Sequence, residues 1–108
     1  MVVHQSLGEV LEVGDLTLDP AQKSVTRAGQ DIRLTSKEYA ILEYLMRNSG
    51  RVVSKDNIIS HVWDFDADVL PNNVEVFITF LRSKIDKPFK KPLLHTVRGF
   101  GYKVSIDA

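Results

Sequence analysis

Residues 72–84, NNVEVFITFLRSK, constrain this chain more than any other stretch. At 100° per residue, Val74, Phe77, Ile78, Leu81 and Ile85 fall in one stripe, so the segment is an amphipathic helix anchored by one face. The opposite face carries Asn72, Asn73, Val76, Thr79, Phe80 and Ser83, where a merely solvated helix would show Lys and Glu. Such a helix either packs on both sides or presents one side to a partner. Eight residues separate it from LLHTVRGFGYKV, residues 93–104. It reads as two strands joined by a glycine-rich turn, and the pair suggests a recognition helix with a hairpin wing beside it.

The rest of the chain supplies one scaffold for that pair. A length of 108 residues, 44% hydrophobic and 26% charged, is that of one globular domain. With no cysteine, disulfides, thiolate metal sites and cysteine nucleophiles are excluded. No apolar run approaches the roughly 18 residues of a membrane helix, and the first eight residues do not resemble a signal peptide, so a cytoplasmic, membrane-free protein is expected. Net charge is zero, yet it is separated along the chain. Residues 56–75 contain five acids and no Lys or Arg, whereas residues 82–103 contain seven bases against Asp86, a net +6. Opposed poles allow the positive one to meet a polyanion, or the two to attract each other internally.

Residues 7–34 read as four short strands: LEV before Gly14-Asp15, LTLD before Pro20-Ala21, SVTR before Ala28-Gly29, then QDIRL. Strands so short need helices to lie on. The first helix starts at Ser36, because Thr35 and Glu38 form a capping box. Ile41, Leu42, Leu45 and Met46 form its buried side, and Asn48-Ser49-Gly50 stops it. Val52 and Val53 allow a brief β bridge. Ser54 caps a second helix, with Asp56 near its N-terminus and Ile58, Ile59, Val62 and Trp63 inward. Three helices in this order make a helix-turn-helix arrangement.

Asp64, Asp66 and Asp68 alternate in the next loop, and Glu75 stands eleven residues after Asp64, as the first and last ligands of an EF-hand do. Val69 occupies the glycine position and Pro71 opens a helix, so an acidic loop facing a protein partner is the preferred reading. In residues 86–92 two prolines end the helix. Arg98 then sits on a turn of small residues at the hairpin tip, where a guanidinium suits a narrow groove. No catalytic set emerges: His61 beside Ser60 lacks a convincing acid partner, His95 reads as structural, and there is no glycine-rich phosphate loop. No cofactor is called for.

Taken together, LTSKEYAILEYLMRNSGRVVSKDNIISHVW, NNVEVFITFLRSKID and LLHTVRGFGYKV resemble the C-terminal effector domain of OmpR/PhoB-family response regulators. The likeness runs from Leu7 to Ile106. It implies an α+β winged helix-turn-helix: an N-terminal four-stranded antiparallel sheet, three helices and a C-terminal β-hairpin wing. It also implies sequence-specific binding of double-stranded DNA at direct promoter repeats, as a head-to-tail dimer. Full-length members carry an N-terminal receiver domain addressed by a sensor histidine kinase, so residues 1–108 read as a single excised effector domain. By the resemblance, residues 72–85 are the recognition helix, with Asn72, Asn73, Val76, Thr79, Phe80 and Ser83 toward the major groove. Arg98 is the wing arginine, flanked by Thr96, Gly99 and Tyr102, and Trp63 matches a tryptophan that touches the phosphate backbone. Phosphate affinity then rests on Arg82, Lys84, Arg98 and Lys103. Asp64, Phe65, Asp66, Ala67, Asp68, Val69 and Leu70 correspond to the loop that contacts RNA polymerase. Relatives often carry arginines where this chain has Thr79 and Phe80, which removes bidentate guanine contacts from those positions and favours A·T-rich half-sites. The alternative is a winged-helix interaction module with weak or no DNA binding.

Overall fold

Short two-residue links dominate the start of the chain and dictate an antiparallel meander. The computed structural model describes residues 9–63 and 71–107, and only the backbone of Pro71 and Asn72. Strands β1 (Leu11–Val13), β2 (Leu16–Asp19), β3 (Ser24–Arg27) and β4 (Gln30–Ile32) form one sheet in that order, each antiparallel to its neighbour. The fourth strand stops at Ile32, two residues before the end of its alternating pattern. Gly14 and the Ala28-Gly29 pair turn the chain with positive φ, and Ala28 at +52° holds a conformation that a side chain disfavours by about 1 kcal/mol or more. One face of the sheet buries Val13, Leu16, Leu18 and Val25.

Three helices follow, α1 (Ser36–Arg47), α2 (Lys55–Val62) and α3 (Pro71–Ile85), packed on one another with α1 against β1. Both halves of the expected capping box form, with Thr35 Oγ1 accepting from the Glu38 N–H at 3.3 Å and Glu38 Oε1 accepting from the Thr35 N–H at 2.9 Å. Ser54 caps α2 by accepting from the Asn57 N–H. At the far end Lys37 Nζ donates to the Val62 carbonyl, placing a cation on an orphan acceptor at the C-terminus of α2. Ile41, Leu42, Leu45, Ile58, Val74, Leu81 and Ile85 are fully buried. Each contributes about 1.5–3 kcal/mol relative to exposure.

A second sheet, β5 (Leu94–Val97) with β6 (Gly101–Val104), closes the other side of the helices. Val53 pairs with Tyr102 in an isolated bridge, their N–H groups donating to each other's carbonyls at 2.7 and 2.9 Å, while Val52 stays exposed. Gly101 makes this approach possible. Its φ is +148°, and a Cβ there would lie 2.0 Å from the Val53 carbonyl oxygen, which is backbone and cannot yield.

Arg27 joins the two sheets through α3. It shares the inward face of β3 with Val25 and is 2% exposed. Its Nε donates to Asp15, one terminal nitrogen to Asp86 (3.0 Å) and the Ile85 carbonyl, and the other to the Lys91 carbonyl. The Phe89 ring lies 5.0 Å from the guanidinium. Asp86 in turn accepts from the Leu93 and Leu94 N–H groups at 3.0 and 3.1 Å. Asp86, the one acid counted against the seven bases of residues 82–103, is thus 7% exposed and organises the segment after α3 from inside. Arg27→Ala strands Asp86 as a buried unpaired anion and should lower stability by about 3–5 kcal/mol in urea denaturation.

Candidate nucleic-acid interface

The helix α3 begins with proline at a position whose N–H would have no helical acceptor, and its apolar stripe seats it on α1 and α2. That leaves an outward arc. Asn73, Val76, Thr79, Phe80 and Ser83 are exposed, Val76 by 48% and Phe80 by 46%. Thr79 Oγ1 donates to the Glu75 carbonyl at 3.0 Å and Ser83 Oγ to the Phe80 carbonyl at 2.7 Å. With their protons turned back into the helix, these hydroxyls offer outward only acceptor lone pairs, plus the Thr79 methyl. Apart from the Asn73 amide, the arc is thus apolar and accepting, and it has no cationic donor. Asn72 belongs to α3, but its side chain lies outside the described residues.

Both flanks of the arc are tied down. On one flank Phe80 meets Phe77 edge-on at 6.2 Å, and Phe77 meets Trp63 at 5.6 Å. Trp63 is 8% exposed with Lys37 over its ring, so it acts as the floor under α3. Lys84 reaches across to Glu38 of α1 at 2.7 Å. On the other flank Arg82 donates through Nε to the Leu94 carbonyl (3.1 Å) and through Nη2 to Thr96 Oγ1, coupling α3 to the wing. Arg82 and Lys84 are therefore engaged within the domain, and the surface cationic pole is smaller than the linear count of +6.

The hairpin tip closes with the Phe100 N–H donating to the Val97 carbonyl at 2.9 Å, with Gly99 at φ +82°. Arg98 and Phe100 stand exposed on this turn, and among the described residues Arg98 has no ion-pair partner. Tyr102 is 4% exposed, and burial pushes its hydroxyl pKa up. Lys103 lines a different cavity, beside Glu12 and Gly50, and so is separated from Arg98. Between α2, α3 and the wing runs a groove lined by Ser54, Lys55, Glu75, Thr96, Arg98 and Tyr102. Lys55 bridges to Glu75 across it, and this hydrogen bond raises the Lys55 pKa. Sequence reading left Lys55 and Glu75 out of the site, although Ser54 as a cap places Lys55 at the mouth of α2.

The expected polymerase-contact loop, residues 64–70, lies outside the described residues, as do three of the four acids of the calcium alternative. His61 is exposed and stacks on Tyr44 at 4.0 Å, and His95 Nε2 lies 3.1 Å from the Ser105 carbonyl oxygen. Among the described residues no helix is long and apolar enough to cross a membrane.

A helix seated on two others, with a hairpin locked to its flank, defines a winged helix. The family described as "Transcriptional regulatory protein, C terminal" matches residues 29–104. The transcriptional regulatory protein TrcR of Mycobacterium tuberculosis is 47% identical over 94 residues, covering 87% of this chain and 36% of TrcR. Among solved structures, the response regulator DrrB, an OmpR/PhoB homologue from Thermotoga maritima, superposes with a TM-score of 0.79 at 31% identity, covering 89% of this chain and 44% of DrrB. The DNA-binding domain of Klebsiella pneumoniae RstA, solved in complex with the RstA box, gives 0.78 at 26% identity, covering 90% and 97%. This chain belongs to the family of C-terminal domains of OmpR/PhoB-type transcriptional regulators. It spans 36–40% of the length of TrcR and two further curated relatives that it matches.

Glu38 gives the site a pH dependence. Burial alone would raise its pKa, but the Lys84 ammonium and the Thr35 N–H and hydroxyl outweigh it and hold the carboxyl below its usual 4.5. A depressed folded-state pKa stabilises the fold above the unfolded value, and that contribution disappears as pH falls through the folded value. Glu38→Gln should cost about 1–2 kcal/mol at pH 7, with the gap from wild type narrowing as pH falls below the ordinary carboxyl value in denaturation curves.

Proposed function

We propose that this chain is the double-stranded DNA-binding output domain of a two-component response regulator, acting at promoters to control transcription. The observation that carries the reading is the pairing of an exposed, accepting α3 arc with an exposed arginine on a hairpin tied to the same helix by Arg82. A helix of this diameter fits the major groove, and a two-glycine turn fits the minor groove, where guanidinium is favoured. The RstA domain bound to its box supplies the parallel in a structurally similar protein.

In this reading Asn72, Asn73, Val76, Thr79, Phe80 and Ser83 face base edges. Val76, the Thr79 methyl and Phe80 meet thymine methyl groups, and the hydroxyl oxygens of Thr79 and Ser83 accept from adenine or cytosine amino groups. Arg98 enters the minor groove, with Thr96 and Gly99 beside it. Trp63 and Tyr102 hold the two reading elements in place. Arg82 and Lys84 reach phosphates only by exchanging present partners, so the salt dependence per domain is shallow. Direct repeats bind two copies head to tail, residues 64–70 address RNA polymerase, and a receiver domain in the full-length protein takes its signal from a sensor kinase.

In vitro selection from random duplexes tests this. Enrichment of A·T-rich direct half-sites is expected, and G·C-rich sites would overturn the assignment of the α3 arc. On a selected site Arg98→Ala should weaken binding about tenfold in a mobility-shift assay. Absence of any shift at low salt would return the domain to the protein-interaction reading, which the exposed Val76 and Phe80 would then serve.

A further inference from the structure

Phe100 is 72% exposed, more than any other large hydrophobic side chain among the described residues. Its exposure is not the result of a loose loop. The Phe100 N–H is bonded to Val97, and the next residue, Gly101, is pressed against the Val53 carbonyl, with Tyr102 bridged to Val53 on both sides of the peptide. The ring is therefore held out on a turn whose other neighbours, Gly99 and Gly101, have no side chains. Arg98 stands two residues away on the same turn. Lys55, at the mouth of the groove behind it, neutralises Glu75, while Asp56 is the remaining acid lining that groove.

An aromatic ring with a guanidinium beside it, on a turn narrow enough for a groove about 6 Å wide, has the form of a minor-groove wedge. We propose that Phe100 is such a wedge: it slides against the deoxyribose faces and partly unstacks one base step next to the position Arg98 occupies, bending the duplex. This rests on the DNA-binding reading above and adds a specificity-determining residue to it. The occupant is a duplex and not a protein surface because the exposed charged neighbour on the tip is cationic and unpaired, which matches the phosphate-walled groove. Pyrimidine–purine steps unstack most easily, so the wedge makes the domain sensitive to a step that no hydrogen bond reads.

The test uses the 108-residue chain and a duplex from the selection, labelled at both ends for energy transfer and carrying 2-aminopurine at the step facing the wing. Wild type should bend the duplex, brighten the 2-aminopurine, and prefer TA over AA at that step by about fivefold. Phe100→Ala should bind the TA duplex about tenfold more weakly, lose the bend and the fluorescence rise, and treat TA and AA alike. Phe100→Leu should retain part of each effect. Because the ring lies outside the core, Phe100→Ala should unfold at the wild-type urea midpoint, which separates the effect from misfolding. Wild-type binding with an unchanged Phe100→Ala overturns the wedge alone. So does a Phe100→Ala effect confined to self-association without DNA. Failure of wild type to bind any duplex overturns both the wedge and the function on which it rests.

Discussion

One buried guanidinium holds the geometry together. Arg27 reaches from the third strand of the first sheet to the last carbonyl of α3, to the carboxylate that starts the connector, and to the connector's own backbone. A strand and a helix end 58 residues apart in sequence, with the connector that follows the helix, are therefore fixed at one point. A buried ion pair is weak evidence of net stability, because desolvation offsets much of the attraction. Its value here is positional: a helix end, with carbonyls that need donors, finds them at a single place on the sheet.

From that fixed end, α3 is held along both sides. Glu38 caps α1 and receives Lys84, so the same carboxylate sets where one helix begins and where another lies. Arg82 performs the matching task toward the hairpin, and the Val53–Tyr102 bridge anchors the hairpin to the link between α1 and α2. The outward arc and the wing tip are consequently parts of one rigid body. The cost is that two of the cations nearest the arc serve the scaffold first.

Much of this was legible beforehand because the signals are local. Capping at Thr35 and Ser54, the two-residue turns, and the Val74 to Ile85 stripe each depend on residues within one or two turns of chain. What escaped depends on distant partners. Arg27 shares the inward alternation of Val25, so the strand pattern alone aims it at the core, yet nothing near it in sequence indicates Asp86, 59 residues on. Counting charges along the chain likewise treated Arg82, Lys84 and Asp86 as surface, since a linear sum has no access to pairing. Strand alternation turns the Lys103 side chain to the other face of the hairpin from Tyr102, where it lines the cavity beside Glu12 and Gly50.

The hydroxyls of Thr79 and Ser83 bond only within their own helix, and Val76 makes no part of the core. Their identities are thus nearly free of the demands of folding, unlike Arg27, Glu38 or Gly101, where each atom has a fixed counterpart. Duplicated copies of such a gene can drift at those outer positions without unfolding along the way. Divergence of recognition and preservation of architecture then fall on separate sets of codons.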